Sequence, residues 1–260
     1  MKRLLTIAGS DCSGGAGIQA DLKTFCAHGH YGMSAITALT AQNTMGVKDI
    51  FSVTGEFLKS QLDVILDDVP PDGTKVGMVG GVEIISLLGN YLQNRPIKPL
   101  VIDPVMVSTS GSRLLEKDAE EALIRELLPM ATVITPNLHE AEALIHNKVD
   151  SVKSMKEAAF AIAEKLGTAV LVKGGHLDED ALDVLYDGKA FYEFTSKRID
   201  NPNTHGTGCT LSSAIACNLA EGADLVEAVK KAKDYVTGAI EAGYDIGNGR
   251  GPLNHLYRLF

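Results

Sequence analysis

Short runs of β-branched and apolar residues alternate with longer helical stretches along most of this chain, and that rhythm constrains the fold more than any other feature. Residues 4–9 read as a buried strand, followed by a helix over 20–28, and 35–39 is a further extended run. Residues 75–79, 100–103, 131–135 and 169–173 are strand candidates, each bounded by Gly, Pro or Asp. Helical stretches fall at 57–66, 83–94, 118–128 and 154–166. A helix between two strands returns the chain to the end of the sheet from which it left, so strand–helix repetition builds βαβ units and a mainly parallel sheet. The expected class is α/β.

The rhythm changes near residue 182. Residues 182–186 and 190–194 read as a hairpin turning on Asp187-Gly188. Two closing helices follow, at 210–219 and 225–242. The first is built from small and apolar residues and is expected to be buried. The second carries Val226, Val229, Ala232, Val236 and Ile240 along one stripe. Without an internal repeat, low-complexity tract or linker, the 260 residues are expected to form one domain, 1–260.

At 45% apolar residues, a chain of this size buries an adequate core without disulfides or a structural metal. Its net charge of −9 argues against general nucleic-acid binding, which rests on neutralising phosphates. A local phosphate pocket stays open to it, because a few aimed backbone donors outweigh a distant acidic surface. The four cysteines, Cys12, Cys26, Cys209 and Cys217, form no CxxC pair, which fits reduced thiols in the cytosol. The apolar run after Lys2-Arg3 is too brief for a signal-peptide core, and nothing approaches the ~20 apolar residues of a membrane helix. A soluble cytoplasmic protein, with no nucleic-acid or membrane partner, is the expectation.

The motif that bears most on chemistry is Asn203-Thr204-His205-Gly206-Thr207-Gly208-Cys209, directly ahead of the buried helix. Two glycines around a small hydroxyl residue let backbone N–H groups converge, and the helix start adds its unpaired donors, which suits a phosphate in transfer. Cys209 at the positive end of that helix is expected to have a lowered thiol pKa and to be able to take a proton from an attacking alcohol. Taken alone, the same residues equally describe a tight loop with a buried structural cysteine.

The segment from Gly9 to Asp21 follows the first strand. It holds Gly15-x-Gly17-x-x-Ala20, but the glycines start too late for a dinucleotide fingerprint, and no acid follows at the expected distance. No GxxxxGK[ST] occurs either, so the segment reads as a pocket wall for a small molecule. Asp21 offers a carboxylate to ring or hydroxyl donors; alone, it is more readily a solvated helix residue. Asn137-Leu138-His139-Glu140 opens a helix at the carboxyl end of a strand. There Asn137 can touch a phosphate and Glu140 can hold Mg²⁺ through water, with Asp103 as a second acid nearby. The plainer alternative is an N-cap Asn with a first-turn acid. Lys173-Gly174-Gly175-His176 closes another strand at the same edge, where a lysine reaches polyphosphate oxygens. The histidines are scattered and make no zinc set.

Together, in this order, these motifs are specific. The chain resembles the hydroxymethylpyrimidine/phosphomethylpyrimidine kinases of thiamine biosynthesis, within the ribokinase-like superfamily. The resemblance runs through GSDCSGGAGIQADLKTF (9–25), TALTAQNT (37–44), DPVM (103–106), TPNLHEAE (135–142), VKGGH (172–176) and NTHGTGCTLS (203–212). It implies a three-layer α/β/α fold with a mainly parallel central sheet, found as a homodimer, using ATP and Mg²⁺. It implies Cys209 as catalytic base and Gly206, Thr207 and Gly208 as its anion hole. It further implies Asp21 and Gln42 as pyrimidine readers, with Gly9, Met78 and Val105 along the same pocket. Lys173, Asn137 and Glu140 are the implied phosphate and magnesium set, with Asp103 nearby and Thr207 towards the nucleotide. Gln42 presents both a donor and an acceptor, which suits an aminopyrimidine edge. Thr109 stands where some relatives carry a lysine.

The nearest rival is a pyridoxine or pyridoxal kinase, which shares the GTGC motif. Ala41-Gln42-Asn43-Thr44 resembles the pyrimidine enzymes instead. A binding module that kept the fold without catalysis would be expected to have lost Cys209, Lys173 or a GTGC glycine, and all are present. A hydride-transferring oxidoreductase is disfavoured by the missing ribose acid.

Overall fold

The computed structural model describes residues 1–106, 115–175 and 180–259. The glycine-bearing stretch 107–112, with Thr109, and His176 lie outside the described residues. Among the described residues, one sheet of nine strands carries the fold, in the order β3-β2-β1-β4-β5-β6-β7-β8-β9. The strands are β1 Arg3–Asp11, β2 Tyr31–Asn43, β3 Gly46–Ser52, β4 Gly73–Val76, β5 Leu100–Ile102, β6 Val133–Ile134, β7 Ala169–Gly174, β8 Asp180–Tyr186 and β9 Phe191–Lys197. Every pairing from β2 through β1 to β7 is parallel, and β3, β8 and β9 add antiparallel edges.

Helices α1 Gly17–Ala27, α2 Gly55–Asp68, α3 Val82–Asn94, α4 Lys117–Ala122, α5 Leu138–Ile145, α6 Val152–Leu166, α7 Thr207–Ala220 and α8 Leu225–Glu241 cover both faces. Successive strand side chains point to opposite faces, and the buried residues divide accordingly. Leu5, Ile102, Ile134 and Val170 pack with α2 to α6, while Leu4, Val101, Val133 and Leu171 pack with α1, α7 and α8. The three-layer α/β/α architecture follows from that two-sided burial.

Some expected bounds shift. The strand read at 35–39 is part of a thirteen-residue β2, and β3 was not anticipated because every one of its residues is exposed. The helix read at 118–128 is α4 followed by a π-helical turn, Leu123–Leu127, and a 3₁₀ turn, Leu128–Met130. Pro129 has no N–H to continue an α-helix, so the last turn changes form. The hairpin turns at Asp187-Gly188 as read, with Gly188 at φ +91°. Among the described residues no helix is long and apolar enough to cross a membrane.

Candidate active site

β1 lies between β2 and β4, so the chain leaves β1 in one direction and later continues on its other side. The carboxyl ends of strands at such a reversal leave a crevice, and the predicted site residues gather along it. Gly9 is near the end of β1, Met78 just past β4, Val105 past β5, Asn137 past β6 and Lys173 in β7. Thr37 Oγ1 donates to the Met78 carbonyl at 2.7 Å, and a Cβ added to Gly9 would meet Met78 Cε at 2.5 Å. Gly9 and Met78 therefore adjoin.

The helix expected at 210 begins three residues earlier, with Gly206 as its N-cap. Gly206 holds φ +88°, and a Cβ there would run into the Gly15 carbonyl oxygen, so this turn demands glycine. Gly208 and Cys209 occupy the second and third positions of α7, where backbone N–H groups have no intrahelical acceptor. They point a compact pair of donors, reinforced by the helix dipole, at the sheet edge. Thr207 corrects the expectation. Its N–H and hydroxyl both donate to the Thr204 carbonyl, at 3.3 and 2.7 Å, so it stiffens the turn instead of lining an anion hole.

Across from these donors, Lys173 Nζ meets Asp103 Oδ1 at 2.7 Å, and Thr135 Oγ1 donates to the same oxygen at 3.0 Å. A Cβ on Gly208 would lie 3.2 Å from Asp103 Oδ2 and 3.3 Å from Lys173 Nζ. The missing side chain is what lets the helix start approach this pair. Burial alone would lower the Lys173 ammonium pKa, but the Asp103 and Glu140 charges win and raise it.

Asn137 and Glu140 adopt the plainer arrangement. Asn137 Oδ1 accepts from Glu140 N at 2.9 Å, and Glu140 Oε2 accepts from Asn137 N at 2.8 Å, a reciprocal capping box on α5. Glu140 is nonetheless buried, with Oε1 3.4 Å from Met106 N. Burial, with Asp103 adding, pushes its carboxyl up to about 7 against the pull of Lys173. Among the described residues no three His, Cys, Asp or Glu side chains are grouped to hold a metal unaided. Two buried acids sharing one lysine do fit Mg²⁺, which is commonly held by one or two carboxylates while keeping waters and phosphate oxygens.

Asp21 also corrects the expectation. It is fully buried, and both oxygens lie 2.9 Å from Lys75 Nζ. Thr6 Oγ1 and Ser213 Oγ complete its shell at 2.6 and 2.8 Å, leaving no capacity to read a pyrimidine. Within the segment 9–21 it is Asp11 that organises the loop from below. Its buried carboxylate accepts from Ser13, Gly15 and Ala16 N–H groups and from His205 Nε2 at 2.9 Å. Despite burial, these donors hold its pKa far below the usual carboxylate range. One loop is thereby tied to the other. A cavity of ≈ 260 Å³ opens beside them, with Ser13, Asn43, Thr44, Met45, His205 and Ile246 in its lining.

Cys209 corrects the sequence argument in a third way. Its thiol pKa is raised, chiefly by burial, with Lys75 pulling it down and Asp21 and Asp103 opposing that pull. Gln42 sits past the end of the β1–β2 ladder, where its carbonyl accepts from Cys12 Sγ at 3.1 Å. Its side-chain amide enters no hydrogen bond among the described residues. Lys75, Asp11 and His205 were missed by sequence reasoning. The available signal for Lys75 was a lone cation inside the four-residue run Gly-Thr-Lys-Val, all of it buried.

A family model described as phosphomethylpyrimidine kinase matches residues 11–254. The chain is 49% identical over 258 residues to the hydroxymethylpyrimidine/phosphomethylpyrimidine kinase of Rhizobium meliloti, covering 98% of this chain and 97% of that one. It is 47% identical over 254 residues to the thiamine biosynthesis bifunctional protein ThiED of Geobacter sulfurreducens, covering 97% of this chain and 52% of that one. It thus spans about half the length of that relative. Among solved structures, the ADP complex of Bacillus subtilis pyridoxal kinase is similar at a TM-score of 0.91 and 41% identity, with 100% of each chain covered.

Proposed function

The chain belongs to the phosphomethylpyrimidine kinase family, and from that premise we propose that it phosphorylates 4-amino-5-hydroxymethyl-2-methylpyrimidine with ATP, and then its monophosphate to the diphosphate. The observation that carries the reading is the meeting of three things at one sheet edge: the Cys209 thiol, the helix-start N–H donors of Gly208 and Cys209, and the Lys173–Asp103 pair. Phosphoryl transfer asks chiefly for positioning and charge neutralisation, and this set supplies both.

In the proposed step the substrate hydroxyl oxygen bonds to the γ-phosphorus, the bond to ADP breaks, and Cys209 thiolate takes the hydroxyl proton. The N–H groups of Gly208 and Cys209 hold the phosphoryl oxygens in flight. Lys173 and the Asn137 amide steady the phosphates. Glu140 and Asp103 would hold Mg²⁺, which when bound supplies positive charge to the phosphate oxygens. Gly9, Met78 and Val105 wall the ring, and Gln42 reads its amino and ring-nitrogen edge. We read the chain as one kinase domain, cytoplasmic and homodimeric. The exposed Met45, Val47, Ile50 and Phe51 around edge strand β3 offer apolar surface for a second copy.

Two measurements test this. Turnover of Mg²⁺-ATP with the pyrimidine and with pyridoxal, products identified by mass, should favour the pyrimidine and show two successive phosphates. A preference for pyridoxal would move the chain to the activity of its Bacillus neighbour, and no product from either would end the kinase reading. Separately, Gln42→Met should weaken pyrimidine binding by ~10-fold or more, since an unpaired base edge is costly, while ATP affinity holds. Equal losses for both ligands in calorimetry would count against Gln42 as the reader.

A further inference from the structure

Deeper than the crevice, and outside the proposed substrate contacts, lies a buried ion pair with nothing to bind. Lys75 and Asp21 are both 0% exposed, and each is the other's only charged hydrogen-bond partner among the described residues. Buried pairs of this kind are weak contributors to stability, so the question is what this one does. Its placement answers. Ser213 Oγ donates to Asp21 Oδ1 at 2.8 Å. Ser213 is four residues after Cys209 on α7, and positions i and i+4 share a helix face one turn apart. Cys209 therefore stands one helical turn from the residue that touches the pair. Lys75 Nζ also rises towards the sheet edge, since a Cβ on Gly77 would meet it at 2.7 Å.

We propose that Lys75 is a positioning residue for the reaction: its ammonium is the counter-charge of the Cys209 thiolate, and Asp21 sets how much of that charge the thiol feels. This rests on the reading of Cys209 as the base and deepens it. The charged groups facing the thiol are Lys75 from β4, Asp21 from α1, Asp103 from beyond β5, and Lys173 from β7. Lys173 is already committed to Asp103 at 2.7 Å. Lys75 is then the cation set to answer a new negative charge on sulfur, and it is shared with Asp21. A thiol held protonated but beside a buried ammonium ionises only when the balance between its neighbours shifts.

The two acidic and basic partners act with opposite signs, and this makes the idea testable without any kinase assay. Removing Asp21 frees Lys75 for the thiolate; removing both deletes the counter-charge without orphaning a buried ion. The rate of Cys209 alkylation by iodoacetamide is followed against pH and resolved by peptide mass spectrometry, with exposed Cys12 and Cys26 as internal references. Asp21→Asn is expected to lower the apparent Cys209 pKa by about one unit or more. Asp21→Asn/Lys75→Met is expected to return it to the parent value or above. A structural role alone would loosen the packing in both variants and move them together, which overturns the proposal. So does an unchanged or raised value in Asp21→Asn. Where that single variant does not fold, the neutral double variant decides: a pKa below the parent's rejects Lys75 as the counter-charge. Because sulfur is read directly, a valid result here stands even if no pyrimidine is phosphorylated.

Discussion

Cys209→Ala is expected to slow phosphoryl transfer by ~100-fold or more while leaving pyrimidine affinity largely unchanged, because loss of a general base touches the transition state and not the ground state. The helix-start donors, the Lys173–Asp103 pair and the ring walls all survive this substitution, so residual turnover through water is expected. The pH dependence adds a sharper criterion. Burial raises the thiol pKa above its ordinary value, so little thiolate exists at neutral pH. The parent rate should then go on climbing with pH beyond ~8.5, where an ordinary thiol is already half ionised, and Cys209→Ala should lose that climb. Single-turnover rates with saturating Mg²⁺-ATP give both quantities. Near-normal turnover in the variant, or a parent profile that is flat across this range, would remove the thiol from the mechanism.

The raised thiol also shows where sequence reasoning stops. The sheet was legible because burial leaves a period: Leu4 and Leu5, Val101 and Ile102, or Val133 and Ile134 divide between two faces. β3 was not legible, since Val47-Lys48-Asp49-Ile50-Phe51 is exposed throughout and is held as a strand by its ladder to β2. The glycine turn before α7 could be read because Gly206-x-Gly208 has few other uses at a helix start. Thr207 could not be assigned so easily, as its hydroxyl turns back to Thr204. Asp21 was misread for a reason of distance. Its partner Lys75 lies 54 residues away and Ser213 lies 192 away, so only the folded chain shows that the carboxylate is already saturated. The same holds for Asp11 and His205, separated by 194 residues.

Lys173→Met should be the other large effect, and it separates catalysis from stability. Removing one charged donor aimed at the transferring group is expected to lower turnover by about 10²–10³. It also strips the cation from Asp103, at 2.7 Å, and from the neighbouring Glu140, leaving two buried acids to face each other. Breaking a buried pair by deleting one member costs about 3–5 kcal/mol, or a melting temperature lower by roughly 6–20 °C in a domain of this size. Protonation offers relief, and its sign is fixed. Without the lysine, the folded-state carboxyl pKa of Glu140 rises further above its unfolded value. Such groups favour folding most below the unfolded pKa, near 4.5 for Glu140, and lose that contribution as pH rises through the folded value, already about 7 in the parent. In metal-free buffer the deficit of Lys173→Met should therefore be smallest near pH 5 and widen towards pH 8. A melting temperature that falls equally at both pH values would argue against coupling to the acids. If the variant turned over normally, Lys173 would be a structural counter-ion with no part in phosphate transfer.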